Sequence, residues 1–284
     1  MNKPSRTGER GPGQLIREIE TTNVPFGCIA LWFLGQESVI IKGDDVTVLI
    51  DPYLSGNEAR LFPPPIASGQ IAGADVCLIT HDHEDHMDRQ GLPHIIAGNP
   101  EITIMAPGIC REPLKGMGLP EERYRLAEPG DWTVIQDKLR IFSVAGAHET
   151  LELDEQGHPC YVGYILELNG VTLYHAGDTV LFPELVDTVT RASVDLAMLP
   201  INGRDYFRNQ RNIVGNMNYR EAAEFAATAG FETVIPLHYD LFKGNTENPG
   251  YFVDYLYSHF PEQKFHMMAR GERFVYVSPR AFGV

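Results

Sequence analysis

Apolar residues recur along the chain in short runs separated by turn residues, a pattern typical of β-strands. Three such runs predict strands near the start of the chain, at Cys28–Leu34, Ser38–Lys42 and Val46–Ile50. The Asn169-Gly170 pair indicates a tight hairpin between two later runs. The remaining predicted strands are Asp75–Thr80, Ile102–Met105, Trp132–Ile135, Leu139–Val144, Tyr161–Leu168, Val171–His175, Val194–Leu199, Thr233–Leu237, Lys264–Met267 and Arg273–Val277.

Amphipathic segments between these runs predict helices. The clearest helix begins at Asn218, where Glu221 completes a capping-box pattern, and Gly230 ends it. Strand-rich halves that are each followed by helices indicate an α/β protein. No linker divides the chain, so we predict an N-terminal arm at 1–26 and one domain at 27–284. The predicted helices are 14–24, Gly91–Ala97, Gly108–Met117, Pro183–Arg191, Asn218–Ala229 and Gly250–His259.

The charge and composition of the chain exclude several classes of protein. Its 284 residues carry 23 Lys and Arg against 38 Asp and Glu, a net charge of −15, which disfavours binding to a nucleic-acid backbone. No apolar run approaches the roughly 20 residues of a membrane span, and the N-terminus lacks the apolar core of a secretory signal. The four cysteines form no Cys-x-x-Cys pair. These features favour a cytoplasmic protein without a disulfide framework.

A cluster of histidines and acids follows the predicted strand Asp75–Thr80. Between His81 and Asp88 the chain holds three histidines and four acids. Carboxylates so close together repel and raise one another's pKa, and a bound cation offsets this repulsion. Imidazole and carboxylate ligands without thiolate suit zinc, manganese or iron. The alternative is a solvated acidic turn, but the compact His-x-His-x-Asp-His string after a buried strand favours a metal site.

The string His81-x-His83-x-Asp85-His86 resembles the signature of the metallo-β-lactamase superfamily. The resemblance extends to His148, Asp178 and His238, each of which follows a predicted strand. It implies an αββα sandwich, in which two facing β-sheets carry helices outside, with two divalent metal ions (manganese or zinc, with iron as a third choice) at one edge. In the implied ligand sets, His81, His83 and His148 hold one ion, Asp85, His86 and His238 hold the other, and Asp178 bridges them.

Two further residues near the ligands have supporting roles, Asp51 by the resemblance and His175 by its position on an alternating strand. Asp51, at the end of the strand Val46–Ile50, resembles the early buried aspartate of the family, which supports a ligand histidine. The alternative for Asp51 is a turn or helix cap. His175 is interpreted as a packed or supporting residue rather than a ligand. His83 argues against the oxygen-reducing diiron members, because those proteins have glutamate at this position.

Segments in the C-terminal half are similar to one branch of the superfamily. Pro200–Phe207, Gly215–Asn218 and Leu237–Phe242 resemble the branch that contains L-ascorbate-6-phosphate lactonase, as does Leu31–Gly35. The resemblance implies a cytoplasmic homo-oligomer that acts on a small molecule. Ala176-Gly-Asp-Thr179 differs from the lactonase pattern. The resemblance therefore supports membership of the branch more strongly than it supports the substrate of the lactonase.

Three arginines follow the predicted strand Val194–Leu199, namely Arg204, Arg208 and Arg211. They are equally consistent with binding of a phosphate or carboxylate and with salt bridges to an acidic surface or a subunit contact. We assign Arg204, the nearest to the strand, to binding a small anionic substrate, together with Asn202 and Tyr239.

These observations predict a metal-dependent hydrolase that opens a small lactone or ester, such as a sugar-phosphate lactone like L-ascorbate 6-phosphate. The metals lower the pKa of a water toward neutrality. Asp85 or Asp178 then takes the proton and passes it toward the leaving alkoxide. One alternative, a phosphodiesterase or RNA-processing nuclease, is disfavoured by the net charge. The other, a non-catalytic metal-binding protein, is disfavoured by the complete ligand set. We expect no nucleic-acid or membrane partner.

Overall fold

A computed structural model describes residues 11–283 and shows two seven-stranded β-sheets. The first sheet contains six strands from the first half of the chain and one from its end. Its order is β14-β1-β2-β3-β4-β5-β6, and the strands from β3 to β6 run parallel. These strands are β1 (Cys28–Gly35), β2 (Ser38–Gly43), β3 (Val46–Ile50), β4 (Val76–Leu78), β5 (Thr103–Ala106), β6 (Tyr124–Leu126) and β14 (Arg273–Val277).

The second sheet is built from the middle and later part of the chain. Its order is β13-β12-β11-β10-β9-β8-β7, and the strands from β10 to β13 run parallel. The tight hairpin predicted at Asn169-Gly170 joins β9 to β10. These strands are β7 (Trp132–Ile135), β8 (Leu139–Ala145), β9 (Val162–Leu168), β10 (Val171–His175), β11 (Leu196–Pro200), β12 (Thr233–Leu237) and β13 (Lys264–Phe265).

Helices cover the outer face of each sheet, which confirms the αββα sandwich. Apolar residues of α1, α2 and α3 pack in one cluster with the outer face of the first sheet. Residues of α4, α6 and α7 pack in a second cluster with the outer face of the second sheet. The helices are α1 (Pro12–Thr21), α2 (Leu92–Gly98), α3 (Arg111–Gly116), α4 (Pro183–Arg191), the short α5 (Tyr206–Asn209), α6 (Tyr219–Ala229) and α7 (Pro249–His259).

The main core lies between the two sheets. The side chains of β1 show why many strands are apolar at every position. Leu31 and Phe33 point into the core between the sheets, whereas Trp32 and Leu34 point into the cluster beneath the helices. Since successive side chains of a strand alternate between faces, a strand buried on both faces must be apolar at every position. The helices within residues 11–283 all fall short of the length and hydrophobicity that a membrane-spanning helix requires.

Most predicted elements are present, with differences at their ends. The strand predicted at Asp75–Thr80 is shorter, because Ile79 and Thr80 leave the ladder to begin the histidine-rich loop. The helix predicted at Gly108–Met117 divides into a 3₁₀ turn and α3. The capping box at Asn218 is confirmed, since its side chain accepts from Glu221 N.

The predicted N-terminal arm falls partly outside the described residues, since residues 1–10 are not among them. From residue 11 onward the segment packs on the sandwich. Leu15 and Ile19 of α1 are buried against the first sheet, and Glu18 accepts a hydrogen bond from Trp32 Nε1 at 3.0 Å. This part of the predicted arm therefore contributes to the core of the domain.

Candidate metal centre

The predicted metal ligands lie together at one edge of the sandwich, where strands of both sheets end. His81 to His86 follow β4 of the first sheet, whereas the later ligands follow strands of the second sheet. Carboxyl ends of parallel strands meet at one edge, and loops that leave this edge can share a site. The later ligands are His148 after β8, Asp178 after β10 and His238 after β12.

One group of potential ligand atoms comes from His81, His83 and Asp178, and these atoms lie within 4.8 Å of one another. The rings of His81 and His83 are 4.5 Å apart. His148 adjoins this group, since its ring lies 5.3 Å from that of His83 and its Nε2 lies 3.7 Å from Asp178 Oδ2. The resemblance assigned His81, His83 and His148 to the first ion and Asp178 to the bridge, and these four side chains lie side by side.

A second group consists of Asp85, His86 and His238, again with ligand atoms within 4.8 Å of one another. Asp178 Oδ1 lies 3.5 Å from His86 Nε2 and 3.2 Å from His238 Nε2. The Asp178 carboxylate therefore stands between both groups, as expected for a bridging ligand. The structure brings all seven predicted ligands together.

The donor set fits divalent metal ions. His81 Nε2 and His86 Nε2 are buried, and neither has a hydrogen-bond partner among the described residues. Burial lowers the pKa of His81 well below its ordinary value, so its ring is neutral and able to bind a cation. Burial would raise the pKa of Asp178, but the neighbouring His238 and His86 outweigh it and hold that pKa well below its ordinary value. An anionic carboxylate among imidazoles suits zinc, manganese or iron.

Asp51 supports His86 from beneath the site, as predicted. The fully buried Asp51 carboxylate lies 2.7 Å from His86 Nδ1 and accepts hydrogen bonds from Thr80 N at 2.8 Å and Thr80 Oγ1 at 2.6 Å. In the neutral ring that a metal ion requires, Nδ1 donates to the Asp51 carboxylate and His86 Nε2 keeps a lone pair that faces the second group. The sequence contained no signal for the part that Thr80 plays.

The loop that carries Asp178 approaches the other sheet very closely at Gly177. Its φ is +60°, and a Cβ at this position would lie 2.8 Å from the side chain of Thr80. Any other residue at 177 would push the Asp178 loop away from the histidine loop. His175, which is fully buried, accepts from Gly177 N through Nδ1 at 3.2 Å and lies 3.0 Å from Glu37 O through Nε2. His175 is thus a supporting residue.

The turn between β1 and β2 enters the same site, which the sequence did not predict. Gln36 and Glu37 are fully buried. Gln36 Nε2 lies 2.8 Å from Asp85 Oδ2 and 3.0 Å from His238 Nε2. Burial, together with the charge of Asp178, raises the pKa of Glu37 well above its ordinary value. Two polar residues in a hairpin turn ordinarily indicate a solvent-exposed turn, so the pattern carried no signal of this burial.

A cavity of about 360 Å³ opens onto the two groups. Tyr53, Ile213 and Phe242 give it apolar walls, and Lys243 is the cationic side chain among its lining residues. The predicted substrate contacts lie elsewhere. Arg204 pairs with both carboxylate oxygens of Glu221 at 2.7 and 2.8 Å, and neither Asn202 nor Tyr239 lines this cavity.

The other two arginines of this segment are also engaged. Arg208 pairs with Asp205 at 2.5 Å, and Arg211 Nε donates to Phe207 O at 3.2 Å. The three arginines thus make the local contacts that the sequence left open as one alternative. The roles of Arg204, Asn202 and Tyr239 in substrate binding stay predictions.

Comparisons with known proteins agree with this geometry. Residues 46–239 match the β-lactamase superfamily domain. The chain is 31% identical to a UPF0173 metal-dependent hydrolase of Thermococcus kodakarensis, over 78% of this chain and 88% of the relative. It is also 31% identical to one from Nitratidesulfovibrio vulgaris, over 84% of this chain and 91% of the relative. These names specify no substrate, so the lactonase-like branch stays a prediction.

Solved structures support the fold. The chain is similar to Igni18, a metallo hydrolase from Ignicoccus hospitalis, with a TM-score of 0.67 and 23% identity over 88% of this chain and 98% of that one. It also resembles an isothiocyanate hydrolase from Delia radicum gut bacteria, with a TM-score of 0.69 and 18% identity over 88% of this chain and 100% of that one. On the family match and the curated relatives, the chain belongs to the β-lactamase superfamily and, within it, to the UPF0173 metal-dependent hydrolase family.

Proposed function

We propose that the protein hydrolyses a small lactone or ester that carries an anionic group, using two divalent metal ions. The observation that carries the proposal is the pair of ligand groups joined at Asp178, which together exceed what one tetrahedral ion requires. Ions held there would lower the pKa of a water toward neutrality and polarise the carbonyl of the substrate.

The carboxylates supply the proton transfer. The side chain of Asp85 is 23% exposed and borders the cavity, whereas that of Asp178 is 5% exposed. The Asp85 carboxylate is therefore better placed than that of Asp178 to take a proton from the attacking water and pass it to the leaving alkoxide. Asp178 holds the two ligand groups together.

The cavity supports a small substrate with a negative charge. Its volume of about 360 Å³ is within the range for small-molecule sites. Lys243 lines it and is exposed, with no ion pair to any described residue. Because Arg204 is paired with Glu221, Lys243 is the better candidate for an anionic end of the substrate, a proposal that the geometry adds to the prediction for Arg204.

The test is a hydrolysis panel on the protein loaded with manganese or zinc. It contains neutral and phosphorylated lactones, carboxylic esters and phosphodiesters. We expect turnover of lactones or esters, with a preference for anionic ones. Turnover of phosphodiesters alone, or none at all in protein that holds two ions, would overturn the proposal.

Two variants locate the anion contact. For a phosphorylated lactone, Lys243→Met should raise KM about tenfold, the loss of a charge-assisted contact of about 1.4 kcal/mol, and leave KM for a neutral lactone unchanged. Arg204→Ala is the matched comparison. If it produces the charge-specific effect and Lys243→Met does not, the original assignment to Arg204 is correct and that to Lys243 is wrong.

A further inference from the structure

The turn between β1 and β2 places one amide side chain against two ligands of the second group. Gln36 Nε2 lies 2.8 Å from Asp85 Oδ2 and 3.0 Å from His238 Nε2, and the whole residue is buried. Its other terminal atom, Oε1, is also buried and has no hydrogen-bond partner among the described residues. An amide oxygen without a partner is costly inside a protein, so its retention requires a reason.

The backbone also accepts strain to hold Gln36 there. Its φ is +58°, in the left-handed region that non-glycine residues other than asparagine and aspartate seldom occupy. His238 is left-handed as well, at +56°, and its N–H donates to Gln36 O at 3.0 Å. The main-chain bond joins the β1–β2 turn to the loop that carries a ligand. Strain of this kind concentrates at functional sites.

The two ends of the amide suit two different states of the site. Without an ion, the NH₂ end donates to Asp85 Oδ2 and lies against His238 Nε2. A cation held by those two atoms would compete with the NH₂ group for the same lone pairs and would repel it. A half-turn about the last torsion exchanges the nearly isosteric NH₂ and oxygen, and the exchange would turn the oxygen toward the cation.

We propose that Gln36 is an additional ligand of the second metal ion and binds it through the side-chain oxygen Oε1. The inference rests on the proposed metal centre and deepens it. Gln36 donates to Asp85 when the ion is absent and coordinates the ion when it is present. The β1–β2 turn is then part of the metal site, together with the loops after β4 and β12.

The experiment measures the affinity of the full-length protein for Co²⁺ by titration, read from its visible absorption and from competition with a chelator. Gln36→Met removes the oxygen at similar size and should weaken the second ion at least about tenfold, as expected for a lost contact around a metal. Gln36→Glu keeps an oxygen and should bind the second ion at least as tightly as wild type does. Affinity for the first ion should not change in either variant.

Gln36→Glu separates a ligand from a mere hydrogen-bond donor, since a carboxylate can bind the ion but cannot donate to Asp85. If Gln36→Glu is as weak as Gln36→Met, or if Gln36→Met matches wild type, the proposal is wrong. Gln90→Met, a change at an exposed glutamine, controls for the substitution itself. Wild-type protein that binds fewer than two ions would refute the two-metal function directly, a result distinct from failure of the Gln36 variants alone.

Discussion

Replacing Asp51 by asparagine tests whether the buried carboxylate beneath the site determines which nitrogen of His86 is free for an ion. Asp51 has three close contacts, to Thr80 N, Thr80 Oγ1 and His86 Nδ1, at 2.6 to 2.8 Å. Its φ is +44°, a left-handed conformation that asparagine tolerates better than most residues. Asp51→Asn therefore changes the side-chain chemistry without adding backbone strain.

The size of the effect follows from these contacts. Asparagine can keep its oxygen on Thr80 N, and its NH₂ group then replaces the oxygen that faces Thr80 Oγ1 and His86 Nδ1. The Thr80 hydroxyl can rotate and accept from the asparagine NH₂ group. An N–H on His86 Nδ1, in contrast, would have no acceptor at residue 51. If the ring keeps its proton on Nδ1, loss of this hydrogen bond to a charged group lowers the free energy of unfolding of the metal-free protein by about 1.5–3 kcal/mol.

The ring can avoid placing its Nδ1–H against the asparagine NH₂ group by moving the proton to Nε2. Nδ1 then accepts a hydrogen bond from the asparagine. That tautomer removes the lone pair that faces the second ligand group, so we expect metal affinity to fall about 10- to 100-fold. Urea unfolding with a chelator present measures the first effect, and competitive metal titration measures the second.

Asp75→Asn is a matched control away from the site, because Asp75 accepts from Thr47 N and Gln136 Nε2. It should reduce stability without changing metal affinity. Wild-type metal affinity in Asp51→Asn would show that His86 is oriented by something else or is not a ligand, and the reasoning about its tautomer would fail.

Three other changes test separate parts of the structure. Asp178→Asn should lower kcat about 100-fold or more and reduce bound metal below two ions per chain, measured by metal analysis; full activity would place the bridge elsewhere. Burial lowers the pKa of His175 in the folded protein, whereas the pKa of a histidine in an unfolded chain is about 6.5. The unfolded state therefore binds a proton first as the pH falls below that value, and the free energy of unfolding decreases. The stability advantage of wild type over His175→Gln, measured by urea unfolding, should therefore narrow from about pH 7 to about pH 5; a constant difference would refute this. Tyr164 OH donates across the two sheets to Ile79 O at 2.6 Å, so Tyr164→Phe should cost about 1–2 kcal/mol in urea unfolding, and no change would show the bond to be dispensable.

The ligands could be predicted from the sequence because each follows a strand whose apolar pattern is clear. His148, Asp178 and His238 come directly after β8, β10 and β12, so the order of the strands fixes where the side chains meet. Asp51 was predictable for the same reason. In these cases a local pattern and the general geometry of parallel strands suffice.

The remaining features depend on contacts between distant segments. Gln36 is buried because the loop after β12 covers its turn, and nothing near residue 36 in the chain indicates that cover. Arg204 was assigned to the substrate from the local concentration of arginines, but the helix α6 carries Glu221 to within 2.7 Å of it. A charge pattern shows that a cation is present and does not show which anion it will face.

The pairing of β1 with β14 has a consequence for the order of events during synthesis. β1 is apolar at almost every position, and one of its two edges is covered by a strand from 273–277. At a ribosomal rate of about 5–20 residues per second, that edge stays open for roughly 12 to 50 s after β1 has emerged. An open apolar strand edge is a template for pairing with other chains. Protection of the nascent chain during this interval, by a chaperone or by rapid pairing of β1 with β2, is therefore a requirement of the topology itself.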